Sequence, residues 1–311
     1  MKLLKRLKMA CVALIVCLLV GEAGARIAGI VDFPLYSTGD DIGYIPKPSQ
    51  SGKFLNKNDW VFNDKSMGID KNWDPRNHFN ILLIGNSIIM GGNPYAQQQK
   101  IAPLVQKSLT GNQILWPIAT GGWSVVNETA YLEQNPEVAK AANFFVWEYM
   151  HGELSQLSQW RGHYVFPDEK PVSALWYAVR RYVLPRFVAF NMDELPPVGS
   201  TGEDHLKHFA IQLDALSKAA GHKPAGILLL YPTEQELELS RSGGEWLEER
   251  PMLEKLAGIF GITVIDVATR LEWTSDMYRD GIHPTVAGNI VLAKIIADGI
   301  ASGIHETTAS K

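Results

Sequence analysis

Short apolar runs alternate with amphipathic stretches from Phe79 onward. Residues 81–84, ending at Gly85, have the length and composition of a buried strand, and similar runs recur at 114–118, 144–147, 227–231 and 262–267. Between them, residues 97–109, 127–134, 173–184, 203–220 and 245–260 read as helices. A last helix is predicted over 285–301, with Val286, Ile290, Ala293, Ile296 and Ile300 at helical spacing. Continuous apolar strands separated by helices predict an α/β fold, in which a parallel sheet is covered on both faces.

Two regions break this pattern. Residues 26–76 are rich in turn formers, with short extended pieces near Tyr44 and Trp60, and read as an N-terminal extension: a small hairpin or arm lying on the main domain. Residues 155–200, rich in Trp, Pro and Arg, read as an insertion over one sheet edge. The main domain is therefore expected over 77–304, followed by a polar tail at 305–311.

The first 25 residues have a different logic. Lys2, Lys5, Arg6 and Lys8 precede an apolar run from Met9 to Val20, and Ala23 and Ala25 then give the A-x-A spacing of a cleavage site. The run is shorter than the roughly 20 residues of a comfortable membrane span, so a cleaved secretory signal is the expectation, with an uncleaved anchor as the alternative. Export to the periplasm or medium follows. Both cysteines, Cys11 and Cys17, lie in this segment, so the mature chain would have no disulfide, thiol nucleophile or Cys-based metal site. Cleavage would also move the formal charge from -4 to -7 by removing four basic groups and one acidic group. That balance disfavours nucleic acid and anionic surfaces as partners.

The candidate chemistry lies at two places. The first predicted strand delivers Gly85-Asn86-Ser87, and an open parallel sheet places ligands at the carboxyl ends of its strands. Near the C-terminus, Asp280-Gly281-Ile282-His283-Pro284 precedes the final helix. Its spacing lets the Asp280 carboxylate fold back onto the His283 imidazole and fix its tautomer. Either motif alone reads as an ordinary turn; at the same sheet edge they form a serine–histidine–aspartate constellation. No phosphate loop or dinucleotide fingerprint is present, and the remaining histidines are scattered, so neither a cofactor nor a metal is expected.

Over residues 79–302 the chain resembles the SGNH, or GDSL, hydrolase superfamily. Ile81-Leu82-Leu83-Ile84-Gly85-Asn86-Ser87 matches its nucleophile block, with Asn86 in place of the usual Asp, and the Asp280–His283 motif matches its last block. The resemblance implies a flavodoxin-like three-layer α/β/α sandwich and a catalytic triad of Ser87, His283 and Asp280. It further implies an oxyanion hole from the amides of Ser87 and Gly122, the latter in Ala119-Thr120-Gly121-Gly122-Trp123-Ser124. The family's third block, Gly-x-Asn-Asp, is missing. Tyr149-Met150-His151-Gly152-Glu153 stands there instead, so either His151 replaces the Asn donor or two amides suffice. Trp123 and Trp160 are candidates for stacking on sugar rings. The Gly122–Glu128 run and the Trp-rich insertion also resemble SGNH proteins of bacterial exopolysaccharide clusters, including those linked to cellulose acylation. That resemblance implies an acylated carbohydrate or polysaccharide as substrate, and envelope polysaccharide-synthesis proteins as partners. It leaves open esterase, O-acyltransferase, or a catalytically weak polysaccharide-binding module.

Overall fold

The computed structural model describes residues 2–154, 157–188 and 205–309. Five strands form the central sheet: β5 (Phe79–Gly85), β6 (Gln113–Ala119), β7 (Phe144–Tyr149), β8 (Gly226–Leu230) and β9 (Ile262–Asp266). All pair in parallel, in the order β6-β5-β7-β8-β9. This is the doubly wound, flavodoxin-like order expected from the sequence, and its direction of winding reverses between β5 and β7. Every residue of β7 and β8 is buried, which explains why these strands read as unbroken apolar runs.

Helix α3 (Ile101–Ser108) packs beside α10 (Val286–Ala309). Helices α4 (Val125–Gln134) and α5 (Pro136–Lys140) pack on α7 (His205–Ala220), which meets α9 (Arg250–Phe260). The right-handed crossovers that parallel strands favour put two such groups on opposite faces of a sheet of this order. At the amino end of β5 the core carries a buried polar group. Trp116 Nε1 donates to Asn80 Oδ1 at 2.8 Å, and Asn80 Nδ2 donates to the Ala141 carbonyl, so the buried amide is satisfied.

Several elements differ from expectation. Helix α8 (Glu234–Arg241) carries so few apolar residues that its periodicity is hidden; a reciprocal Thr233–Glu236 capping box starts it. Helix α9 begins at Arg250 because Pro251 suits only a first turn. Helix α10 extends to Ala309, through the start of the expected polar tail, and leaves Val286 and Ile290 exposed while Leu292, Ile295, Ile296 and Ile300 face the core.

The N-terminal region is more than an arm. Strands β1 (Tyr36–Gly39) and β2 (Gly43–Pro46) form one antiparallel hairpin, and β3 (Gln50–Phe54) and β4 (Asn58–Phe62) another. Tyr44 is buried and stacks on Phe166 with ring centroids 3.9 Å apart. Before the hairpins, α1 (Lys2–Ile27) runs unbroken through the expected cleavage site. The described part of the 155–200 segment includes α6 (Ala174–Ala178), which packs on α1 rather than over a sheet edge: Ala174 and Tyr177 share an apolar cluster with Ala25, Val31 and Phe33. Residues 155, 156 and 189–200 of that segment lie outside the described residues.

Candidate active site

The carboxyl end of β5 leads directly into the short helix α2 (Ser87–Met90). Asn86 caps it, its side-chain oxygen accepting from the Ile88 amide at 2.8 Å, and this cap fixes Ser87 at the first helical position. Gly85 is required by close approach. A Cβ there would lie 2.7 Å from Glu148 Oε2 and 2.6 Å from the Ile89 side chain.

Ahead of α10, the turn carrying Asp280 and His283 folds toward this serine. His283 Nε2 lies 2.9 Å from Ser87 Oγ although 196 residues separate them, and His283 Nδ1 lies 2.9 and 3.1 Å from the two Asp280 oxygens. Asp280 also accepts from the His283 amide at 2.9 Å and from Arg279 Nη2 at 2.9 Å. Partial burial works to raise the Asp280 pKa, but these hydrogen bonds and the facing imidazole outweigh it and hold the carboxyl well below its usual range. Asp280 is thus ionised at any working pH and can stabilise an imidazolium at His283. Arg279 continues the network to the Tyr95 hydroxyl, which donates to the Pro284 carbonyl, and the Tyr231 hydroxyl donates to the Ile282 carbonyl at 2.6 Å. The histidine turn is therefore held from both sides.

The glycine loop after β6 lies next to the serine. A Cβ on Gly121 would stand 4.0 Å from Ser87 Cβ, and the Gly121 amide donates to Met90 Sδ at 3.0 Å. Gly122 has φ +78°, a conformation that favours glycine, and a Cβ there would stand 2.8 Å from the Tyr44 hydroxyl. The amides of Ser87 and Gly122 donate to no other described residue. The β1–β2 hairpin braces this loop. Tyr44 donates to the Gly121 carbonyl at 2.8 Å, Trp123 Nε1 to the Tyr44 carbonyl at 2.6 Å, and Asn127 Nδ2 to the Ile42 carbonyl at 2.9 Å.

Two of the expected site residues, His151 and Trp123, are placed otherwise, and Trp160 is not. His151 turns its Nδ1 toward Glu236, at 3.3 Å, and its Nε2 toward Glu249, at 3.7 Å, and makes no hydrogen bond to Ser87. Carboxylates on α8 and beside α9 engage this imidazole on both ring nitrogens. Trp123 is buried, its indole N–H committed to Tyr44, and is a packing residue rather than a sugar platform. Trp160 is half-buried, donating to the Phe166 carbonyl at 2.7 Å, and it borders an open cleft with Thr38, Asp40 and Gln159. Among the described residues no group of His, Cys, Asp and Glu is arranged to hold a metal.

A feature not expected from the sequence lies beneath the nucleophile. Glu128, Glu148 and Glu153 are all buried. Asn86 Nδ2 donates to Glu153 Oε1 at 2.7 Å and is 3.4 Å from Glu148 Oε1, and the Asn86 amide donates to Glu148 Oε2 at 3.2 Å. Glu153 Oε2 accepts from the Met150 amide at 2.8 Å, and Trp147 Nε1 donates to Glu128 Oε2 at 2.5 Å. Burial first, and then the neighbouring carboxylates, push Glu128 and Glu148 well up. Burial pushes Glu153 up to about 7 against the opposing hydrogen bonds from Met150 and Asn86. The Asn at position 86 follows from this: an Asp there would add another carboxyl to a dry cluster that needs a donor.

Fold and site together define a flavodoxin-like α/β sandwich with a serine–histidine–aspartate constellation at the sheet edge where winding reverses. No protein-family model matches the chain, and no curated protein matches it. Among solved structures it is similar to a carbohydrate acetylesterase from Sinorhizobium meliloti, at 14% identity and a TM-score of 0.41, over 72% of this chain and 99% of that one. It is also similar to a lipase/acylhydrolase from Enterococcus faecalis, at 14% identity and a TM-score of 0.42, over 71% and 95% of the two chains. A third is the aryl esterase of M. smegmatis, at 15% identity and a TM-score of 0.41, over 72% and 99%.

Proposed function

We propose that this protein is a serine-dependent acyl-ester enzyme, with Ser87 as nucleophile, His283 as general base and acid, and Asp280 as the group that orients and stabilises His283. The observation that carries this reading is the continuous chain from Ser87 Oγ through His283 to Asp280, with both links at 2.9 Å. Each link lies within the reach that proton transfer needs. His283 Nδ1–H donates to Asp280, which leaves Nε2 free to take the Ser87 proton as Oγ attacks an ester carbonyl. The oxyanion that forms is met by the amides of Ser87 and Gly122. His283 then gives its proton to the departing alcohol, leaving an acyl-enzyme, and an acceptor takes the acyl group with His283 again as base. Water as acceptor makes an esterase; a sugar hydroxyl makes an O-acyltransferase.

The substrate class proposed is an acylated carbohydrate of the envelope or extracellular matrix, such as cellulose or a related exopolysaccharide, with polysaccharide-synthesis proteins as partners. The open cleft beside Trp160, with polar Thr38, Asp40 and Gln159, supports this class, since it pairs an aromatic face with hydrogen-bonding groups. A second reading, a polysaccharide-binding module with weak chemistry, is favoured only by the absence of a side-chain oxyanion donor at His151.

Labelling with a serine-directed phosphonate tests the proposal. A single adduct at Ser87, lost in Ser87→Ala, is expected. Asp280→Asn should cut turnover of an aryl acetate by roughly 10⁴, as the equivalent change does in a well-studied triad. An unlabelled Ser87 and unchanged turnover in Ser87→Ala would sink the enzymatic reading.

A further inference from the structure

Helix α1 has two halves with opposite characters. From Leu3 to Val20 every side chain is exposed, the large apolar ones included. From Gly21 the helix is built into the domain. Glu22 accepts from Ser173 Oγ at 2.8 Å and from the amides of Ala174 and Leu175 at 3.0 Å, which satisfies donors at the start of α6. Arg26 pairs with Glu22 at 2.7 Å and donates to the Val172 carbonyl at 2.7 Å. Ala25 is 7% exposed in its apolar cluster, and Asn56 donates to the Ile27 carbonyl at 2.6 Å. A cut after Ala25 would sever a helix that continues to Ile27 and remove the carboxylate that α6 depends on.

The surface next to this junction is unusual for water. Val172, Trp176, Tyr182, Val183 and Phe187 are all exposed, Val172 by 95% and Phe187 by 80%, with exposed Arg186 among them. Aromatic and apolar side chains mixed with a cation are the composition of a membrane interface.

We propose that α1 is retained in the working protein as a membrane anchor, and that residues 172–188 rest in the interface of the same bilayer. The occupant of both surfaces is lipid. At 1.5 Å per residue the stretch from Leu3 to Val20 is about 27 Å long, of which the uncharged run from Met9 to Val20 makes about 18 Å, so the roughly 30 Å hydrocarbon core is spanned only together with the apolar stems of the basic residues before it. Lys2, Lys5, Arg6 and Lys8 reach the far headgroups by snorkelling, and their charge places that end in the cytoplasm and the sandwich outside. By length and mean hydropathy, 286–305 passes as a candidate span among the described residues, but half of it is buried, and it is a core helix of the sandwich. Helix α1, by contrast, is exposed along Leu3 to Val20 and built into the domain at its C-terminal end. This inference is independent of the reaction at Ser87.

The chain carries its own reporters, because Cys11 and Cys17 both lie in the exposed half of α1 and are its only cysteines. The full-length protein is expressed, purified in detergent and reconstituted into vesicles of phosphatidylethanolamine and phosphatidylglycerol. Two thiols per chain are expected after denaturation, and a membrane-impermeant maleimide should label them at least roughly tenfold more slowly in vesicles than after denaturation, since thiolate formation is suppressed in hydrocarbon. A polarity-sensitive dye on Phe187→Cys, in a Cys11→Ala, Cys17→Ala background, should shift to the blue on reconstitution. A purified chain that starts at Arg26 and has no thiol overturns the proposal. So does maleimide labelling that proceeds as fast in vesicles as in the denatured chain, and a dye at 187 unmoved by lipid removes the interfacial surface.

Discussion

Replacing Asn86 by Asp restores the residue that the resembling family carries beside its nucleophile, yet here it should destabilise the protein. The Oδ1 acceptor that caps the Ile88 amide survives the change, but the amide donor does not. The 2.7 Å bond to Glu153 is lost, and a further carboxyl is forced against the buried Glu148 and Glu153. An unsatisfied buried group costs about 1–3 kcal/mol, and with charge repulsion added the loss at pH 8 should be about 2–3 kcal/mol. For a domain of this size that corresponds to a fall in melting temperature of about 5–10 °C. The sign of the pH dependence is fixed by Glu153. Its pKa is raised from 4.5 to about 7, so the fold favours its neutral form; the associated stability is fully present below about pH 4.5 and lost as pH rises through about 7. At pH 5 the introduced carboxyl, once protonated, can again donate to Glu153, so the gap between Asn86→Asp and the unchanged protein should narrow. Thermal unfolding of both at pH 5 and pH 8 measures it. Equal melting at pH 8, or a gap wider at pH 5 than at pH 8, would refute the argument.

Gly122→Ala forces a side chain into φ +78° and 2.8 Å from the Tyr44 hydroxyl, which displaces the amide proposed to face the oxyanion. Hydrolysis of an aryl acetate should fall by roughly 10² or more, the usual cost of one such donor, and an unchanged kcat would remove Gly122 from that role. His151→Ala should leave kcat essentially unchanged, because the ring is engaged with Glu236 and Glu249; a loss of ~10²–10³ would restore it as an oxyanion donor. Tyr44→Phe removes the brace on the Gly121 carbonyl, costing about 1 kcal/mol of stability in a denaturant titration, and identical midpoints would show that the hydroxyl does not hold the loop.

The sheet was legible because its central strands are buried on both faces, so that Ile81–Ile84 and Phe144–Trp147 are apolar without interruption. Ser87 and His283 were legible because strand ends in this topology converge, and a Gly-x-Ser after one strand and an Asp-x-x-His before the last helix need only that convergence to meet. What was hidden depends on contacts between distant segments. The apolar run of α1 reads the same whether or not Glu22 reaches α6, 151 residues away. Trp123 looks free in a glycine-rich loop until the Tyr44 carbonyl, 79 residues earlier, claims its indole. His151 sits at the right place in the sequence for an oxyanion donor, but its direction is set by glutamates on α8 and just before α9.

The carboxyl cluster is the most instructive of these, because its members did carry a signal. Glu148 falls inside a strand that is otherwise entirely apolar, and an acidic residue at such a position is rare unless it is partnered. Asn86 departs from the family's Asp at the neighbouring position. Read separately, one is an oddity of composition and the other a defect in a motif. Read together, they are one hydrogen-bonded arrangement. Carboxyls on β7 and the turn after it face residue 86, whose side-chain amide is the donor that the dry site requires. The turn after β7 is closed by Glu153, which takes the Met150 amide with one oxygen and Asn86 with the other. With that side chain directed inward beneath Ser87, the proposed oxyanion hole is left to the amides of Ser87 and Gly122, and the hairpin bearing Tyr44 braces the glycine loop that carries the second of them.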